Sequence, residues 1–296
     1  MINEKLIAEW REPVHIEPVT KIRRHPVRFI GGKYGARRAL AEALTHCGGG
    51  FDLAVDPFGG SGLVSRAIKD SGMAKRVVYG DFDDYAARVR YIMSHEGRER
   101  HRRIRSMLSG VPYEKPIQQS ITEQIAKEIE GGASEVELDV WLPYLSFAGR
   151  EAAVRNITKL KRYNCVPIKW PDATGWLDGL EIVSRTDARD LLDSLKPFPA
   201  KTLVVLDPPY PGSLGATYKS DKWTITDYIN MINSLLIDGV DTILLFGDDR
   251  SGVKAMMDAV PPSKVKRIAF NLKTSHNAFG SIDSAYIIRT RCRQST

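Results

Sequence analysis

The strongest constraint on this chain is a series of short apolar runs, each stopped by glycine, proline or acid. FDLAVDPF (51–58) is apolar and extended, GGSG (59–62) breaks it, LVSRAIKDSG (63–72) has a helical pattern closed by Gly72, and RVVYGDFDD (76–84) is a second apolar strand ending in acids. Strand, glycine loop, helix and strand in that order make a βαβ unit, with the two strands parallel. The style resumes later, with TLVVLDPPY (202–210) as a buried strand stopped by two prolines, YINMINSLLIDG (228–239) as an amphipathic helix and DTILLFGDD (241–249) as another buried strand. Strands this uniformly apolar need cover on both faces, so the two stretches are expected to form one α/β, doubly wound sheet.

Residues 91–179 lack such runs, yet hold Trp141, Trp170 and Trp176, three of the five tryptophans. They read as an inserted, mainly helical subdomain, leaving 1–90 and 180–296 as the main domain. Ser120 and Glu123 spell a capping box, Ile121, Ile125 and Ile129 make a helical stripe, and Gly131-Gly132 end it.

Composition excludes several classes. A chain of 296 residues, 43% hydrophobic and 27% charged, can bury a core without metal or disulfide staples. Cys47, Cys165 and Cys292 are odd in number and far apart, so neither a disulfide framework nor a CxxC zinc site can be drawn, no metal is expected, and a reducing cytoplasm is the simpler setting. Glu4, Glu9, Arg11 and Glu12 break any leader-like apolar run, and no stretch suits a membrane span. The formal net charge of +7 suits a polyanionic partner. Positive charge gathers at Lys21, Arg23, Arg24 and Arg28, and again at Arg98, Arg100, Arg102, Arg103 and Arg105. The second cluster is either a nucleic-acid contact or a solvated helix face.

Three motifs carry chemistry. Asp56-Pro57-Phe58-Gly59-Gly60-Ser61-Gly62 lies between strand and helix, where open α/β sheets bind cofactors. It matches neither the G-x-G-x-x-G fingerprint nor a P-loop, which disfavours NAD and ATP. Asp81 ends the next strand, where a carboxylate can accept hydrogen bonds from ribose hydroxyls; Asp83 and Asp84 are either the true contact or helix N-caps. The most specific motif is Asp207-Pro208-Pro209-Tyr210. Two prolines stiffen the strand exit and aim a carboxylate, the Pro208 carbonyl and an aromatic face at one spot, which suits the exocyclic amine of a nucleobase.

With Phe29-Ile30-Gly31-Gly32-Lys33 added in front, the ordered motifs resemble the Dam-type, class alpha DNA adenine-N6 methyltransferases, which use S-adenosylmethionine. The likeness covers about 29–90 and 182–290. It implies a Rossmann-like methyltransferase sheet, with 91–179 in the place of the target-recognition region. It also implies that Phe29, which stands where the Dam enzymes have tryptophan, contacts the cofactor with Lys33. Gly31 and Gly32 would sit beside a cofactor-carboxylate site, with Asp56 in the loop where Phe58, Gly60 and Gly62 line the methionine pocket. Asp81 would bind ribose, and Asp187 would either reach the cofactor's adenine or simply cap the helix ARDLLDSL. Asp207, Pro208, Pro209 and Tyr210 would form the catalytic turn.

The implied partner is double-stranded DNA, with a restriction endonuclease partner admissible, in a bacterial or phage-encoded cytoplasmic protein that is a monomer or weak dimer. Transfer to RNA adenine or cytosine N4, and an inactive DNA-binding module on the same fold, stay open as alternatives.

Overall fold

The computed structural model describes residues 1–11, 17–28, 33–130, 134–146, 156–208, 223–248, 252–272 and 281–290. The chain forms two compact units, one of Met1–Arg24, Gly32–Asp83 and Gly179–Thr296, the other of His25–Gly31 and Asp84–Asp178. The first opens with α1 (Arg37–Cys47), β1 (Phe51–Asp56), α2 (Leu63–Asp70) and β2 (Ala74–Asp81). The second holds α3 (Tyr85–Met93), α4 (His95–Met107), α5 (Gln119–Glu130) and α6 (Glu135–Tyr144). The chain then returns to the first unit through β3 (Glu181–Ser184), α7 (Ala188–Ser194), β4 (Thr202–Leu206), α8 (Ile225–Ile237), β5 (Thr242–Asp248), α9 (Val253–Asp258), β6 (Val265–Leu272) and β7 (Ser281–Arg289).

The described strands of the first unit form a seven-stranded sheet in the order β3-β2-β1-β4-β5-β7-β6. Pairing is parallel from β3 to β5, and β7 runs antiparallel to both β5 and β6. The expected α/β, doubly wound, Rossmann-like sheet is what forms. Leu53, Val55, Val204, Leu206, Ile243 and Leu245 enter one core cluster with Leu191 of α7 and Tyr228, Ile232 and Leu235 of α8. The intervening Ala54, Leu203, Val205, Leu244 and Phe246 are also buried. Since alternate strand residues point to opposite faces, both faces are covered, and this accounts for the uninterrupted apolar runs. The β6–β7 hairpin escaped the sequence reading because VKRIAFNL and SIDSAYIIR interleave polar and apolar residues. An edge strand such as β6 keeps charged side chains on its open side.

In the second unit, α5 begins at Gln119, so Ser120 lies in the first turn and is not the cap expected of it; Glu123 instead accepts a hydrogen bond from Gln119 Nε2 at 3.2 Å. Ile125 and Ile129 are buried as the stripe requires, while Gly131-Gly132 lie outside the described residues. The capping box that does form is Ser134 with Glu137, at the start of α6. Trp170 stacks on Trp141 with ring centroids 5.3 Å apart and donates its indole N–H to the Ile92 carbonyl at 2.7 Å. Among the described residues, no helix is long and apolar enough to cross a membrane.

Candidate active site

The strand order reverses between β1 and β4: the chain steps outward from β1 through β2 to β3, then returns to lay β4 on the other side of β1. Carboxyl ends of parallel strands at such a reversal leave a crevice that helices cannot fill, and ligands of open α/β sheets bind there. Asp56 closes β1 and Asp207 directly follows β4.

The loop after β1 is shaped by its neighbour β2. The Gly59 N–H donates to the Gly80 carbonyl at 3.1 Å, the Gly62 N–H to the Gly59 carbonyl at 2.7 Å, and the Tyr79 hydroxyl to the Gly60 carbonyl at 2.7 Å. A Cβ at Gly59 would run into the Tyr79 ring, and one at Gly80 would lie 2.8 Å from the Pro57 carbonyl oxygen. Gly62, at φ 68, caps α2 in the left-handed region, a conformation costly for other residues. Tyr79 and Gly80 were not legible as loop-forming residues, because nothing in VVYGD distinguishes them from ordinary strand interior.

Asp56 is 1% exposed and accepts the Ser65 hydroxyl at Oδ2, 2.7 Å away. Burial pushes its carboxyl up to about 7; the Ser65 hydrogen bond pulls down, and the charge of Asp207 adds to the rise. The charge of Asp207 is therefore felt at Asp56 across the β1–β4 edge. Asp56 serves the loop's interior, bonded to α2, and its side chain is closed to solvent.

Asp81 is buried at the end of β2, opposite Ser184 in register, and its carbonyl accepts the Arg185 N–H at 3.0 Å. Asp84 occupies the cap position of α3 at φ 55, but its side chain makes no capping hydrogen bond. Asp187 is the N-cap of α7; its Oδ1 accepts the Arg189 N–H at 2.8 Å and Arg189 Nε at 3.1 Å. The helix-capping alternative is thus the bond Asp187 makes here.

Asp207 is half-buried and Pro208 buried. The Pro208 carbonyl accepts the Tyr228 hydroxyl at 3.0 Å. Phe58 meets Trp223 edge-on at 4.9 Å, Trp223 meets Tyr228 edge-on at 6.2 Å, and the Arg189 guanidinium lies over the Trp223 ring at 5.0 Å. Trp223, Tyr228 and Arg189 were missed; the one available signal was a tryptophan directly before T-x-x-D at a helix start. Phe29, Gly31, Gly32, Pro209 and Tyr210 lie outside the described residues, and of Lys33 only the backbone is described, in the 3-10 turn Lys33–Ala36 that leads into α1.

No protein-family model matches the chain. A Haemophilus influenzae protein named "Putative methyltransferase" is 30% identical to it over 215 residues, spanning 70% of this chain and 71% of that protein. The chain belongs to that methyltransferase family. A methyltransferase with this sheet has its glycine loop, Asp81 and Asp207 at the carboxyl ends of three adjacent strands, β1, β2 and β4.

In the methyltransferase's second unit, α4 carries all five arginines put forward for nucleic acid, and uses them unequally. Arg100 is turned inward: at 11% exposure it reaches Glu137 at 2.6 Å and Glu96 and Glu128 at 3.5 Å, tying α4 to α5 and α6. Arg103 bonds Glu128 at 2.8 Å and Arg102 pairs with Glu99, both from side chains open to solvent. Arg98 is exposed and donates to the Met93 carbonyl at 3.0 Å, and Arg105 is half-buried.

Proposed function

We propose that this methyltransferase transfers a methyl group from S-adenosylmethionine to the N6 amine of adenine in double-stranded DNA. The observation that carries the reading is the position of Asp207 and the Pro208 carbonyl, two acceptors leaving β4 beside the glycine loop of β1. The donor set suits the cofactor: a buried carboxylate at the end of β2 can accept ribose hydroxyls, and Gly60 and Gly62 themselves put no side chain in the way of a ligand's approach to the backbone. Asp187 keeps its second carboxylate oxygen for the cofactor's adenine, and Phe29, Gly31, Gly32 and Lys33 belong to the reading by sequence.

When bound there, S-adenosylmethionine supplies a methyl group on a positively charged sulfur, which leaves as a thioether. The chain's own residues work on the amine. Adenine N6 is a poor nucleophile because its lone pair is delocalised into the ring. Asp207 accepts one N6 hydrogen and the Pro208 carbonyl the other, drawing the nitrogen toward tetrahedral geometry and building lone-pair density toward the methyl. The surplus proton leaves through the Asp207 carboxylate, which is open enough to hand it to water. Tyr210 is the stacking partner for a base turned out of the duplex. The exposed Arg98, Arg102 and Arg103, with Arg105, are the proposed phosphate contacts.

The test is methylation of mixed plasmid DNA with labelled cofactor, read at single-nucleotide resolution. N6-methyladenine in a fixed sequence context is expected. Label on cytosine, on RNA alone, or on neither overturns the assignment.

A further inference from the structure

Two consecutive prolines leave the turn after β4 with an orientation problem. The peptide joining Pro208 to Pro209 has no N–H, so hydrogen bonding can orient it only through its carbonyl oxygen. The donor to that oxygen is Tyr228, 20 positions further along the chain, at 3.0 Å. Tyr228 is 1% exposed, and its helix is packed into the core by Ile232, Leu235 and Leu236. The start of α8 is fixed by a capping box, in which Thr224 N–H donates to Asp227 Oδ2 at 2.8 Å and Asp227 N–H to Thr224 Oγ1 at 3.2 Å. Trp223, one residue earlier, rests edge-on against both Phe58 and Tyr228. One rigid helix start thus touches the glycine loop and the carbonyl of the Asp-Pro-Pro-Tyr turn.

We propose that Tyr228 is a positioning residue for methyl transfer: its hydroxyl holds the Pro208 carbonyl so that the oxygen's second lone pair faces the target amine. A carbonyl oxygen has two lone pairs; Tyr228 takes one and leaves the other. Acceptors fixed before the reaction need not reorganise as the nitrogen changes geometry, and a site held by a packed helix is more exact than one held by a loop alone. The inference rests on the amine-methylation reading above.

The experiment is methyl transfer by the full chain, single-turnover at saturating cofactor and DNA and steady-state over a range of each, comparing wild type, Tyr228→Phe and Ile232→Val, with melting temperatures measured alongside. Tyr228→Phe keeps the ring and removes only the hydroxyl. Its rate should fall about tenfold, the scale of one neutral hydrogen bond, while KM for each substrate stays within about twofold. Ile232→Val trims the same helix without touching a hydroxyl and should keep the wild-type rate even if it melts lower. If wild type methylates adenine and Tyr228→Phe matches it, the positioning role is overturned and the adenine reading stands. Equal losses in both variants also overturn it, since packing would then account for them. Wild-type protein that methylates no adenine removes the reading and the inference together.

Discussion

Ser65, in the first turn of α2, donates its hydroxyl to the buried carboxyl of Asp56 at 2.7 Å, and so ties the helix back to the strand that precedes the glycine loop. The folded protein holds the Asp56 proton up to about 7, against 3.8 for an ordinary aspartate, chiefly through burial. The folded pKa is raised, so the associated stability is fully present below pH ~4 and is lost as pH rises through about 7, because the unfolded chain ionises first. Asp56→Asn, which cannot ionise, should gain stability relative to wild type as pH goes from 5 to 7, with a slope approaching about 1.4 kcal/mol per pH unit. Thermal melts of both proteins across that range check it; parallel curves would show that Asp56 ionises normally.

Asp207 and Asp81 should fail in different ways. On the proposed function Asp207→Ala should abolish methyl transfer while cofactor affinity changes by no more than about threefold, because the proposal sets its carboxylate to work on the target amine. Asp81→Ala should weaken cofactor binding by roughly 1.5–3 kcal/mol, the value of a hydrogen bond to a charged acceptor. Calorimetric titration of cofactor, run beside the transfer assay, separates the two. Normal cofactor affinity in Asp81→Ala would move the ribose contact to Asp83 or elsewhere.

Gly80→Ala should damage the site from behind. The new methyl would meet the Pro57 carbonyl at 2.8 Å and Leu191 Cδ2 at 2.9 Å, forcing apart the loop and β2. Overpacking of this kind costs about 1–3 kcal/mol, and because the moving part is the glycine loop, cofactor affinity should fall with the melting temperature. Denaturant unfolding and cofactor titration on one preparation check both. A variant with wild-type values in each would mean that the loop has room the geometry does not show.

The arginines of α4 should divide by partner. Arg100→Ala leaves the buried Glu137 without its guanidinium, while Glu128 keeps Arg103, and should cost about 3 kcal/mol of stability. Arg102→Ala, at 67% exposure, should cost no more than about 1 kcal/mol. Neutralising Arg102, Arg103 and Arg105 together should weaken DNA binding and reduce the slope of log K against log salt by about 0.9 for each phosphate that no longer meets an arginine. A salt slope equal to the parent's would make the cluster a solvated helix face.

Much of the fold was written locally. FDLAVD, TLVVL and TILLF are strands for the same reason they are recognisable: burial on both faces demands apolar residues without interruption. The β6–β7 hairpin lacks that signature because β7 buries polar Asp283 and Ser284 beside its apolar residues, and its pairing with β5 depends on residues far along the chain. The Ser120 box shows the limit from the other side, since S-x-x-E is satisfied in the letters while the helix starts one residue earlier.

The sequence by itself determined the chemistry on offer: which acids follow which strands, that glycines separate β1 from α2, and that Pro208 and Pro209 in the turn after β4 carry no N–H. These follow from residue types at short separation, where covalent geometry leaves few choices. Tertiary structure decided what each group is given to work against. It set Tyr79 behind the glycine loop, brought Tyr228 to the Pro208 carbonyl, and drew Arg100 inward among three glutamates while Arg102 stayed in solvent. Hydrogen bonds and ion pairs of that kind join residues whose separation in sequence carries no information about their distance in space, so only packing could assign them.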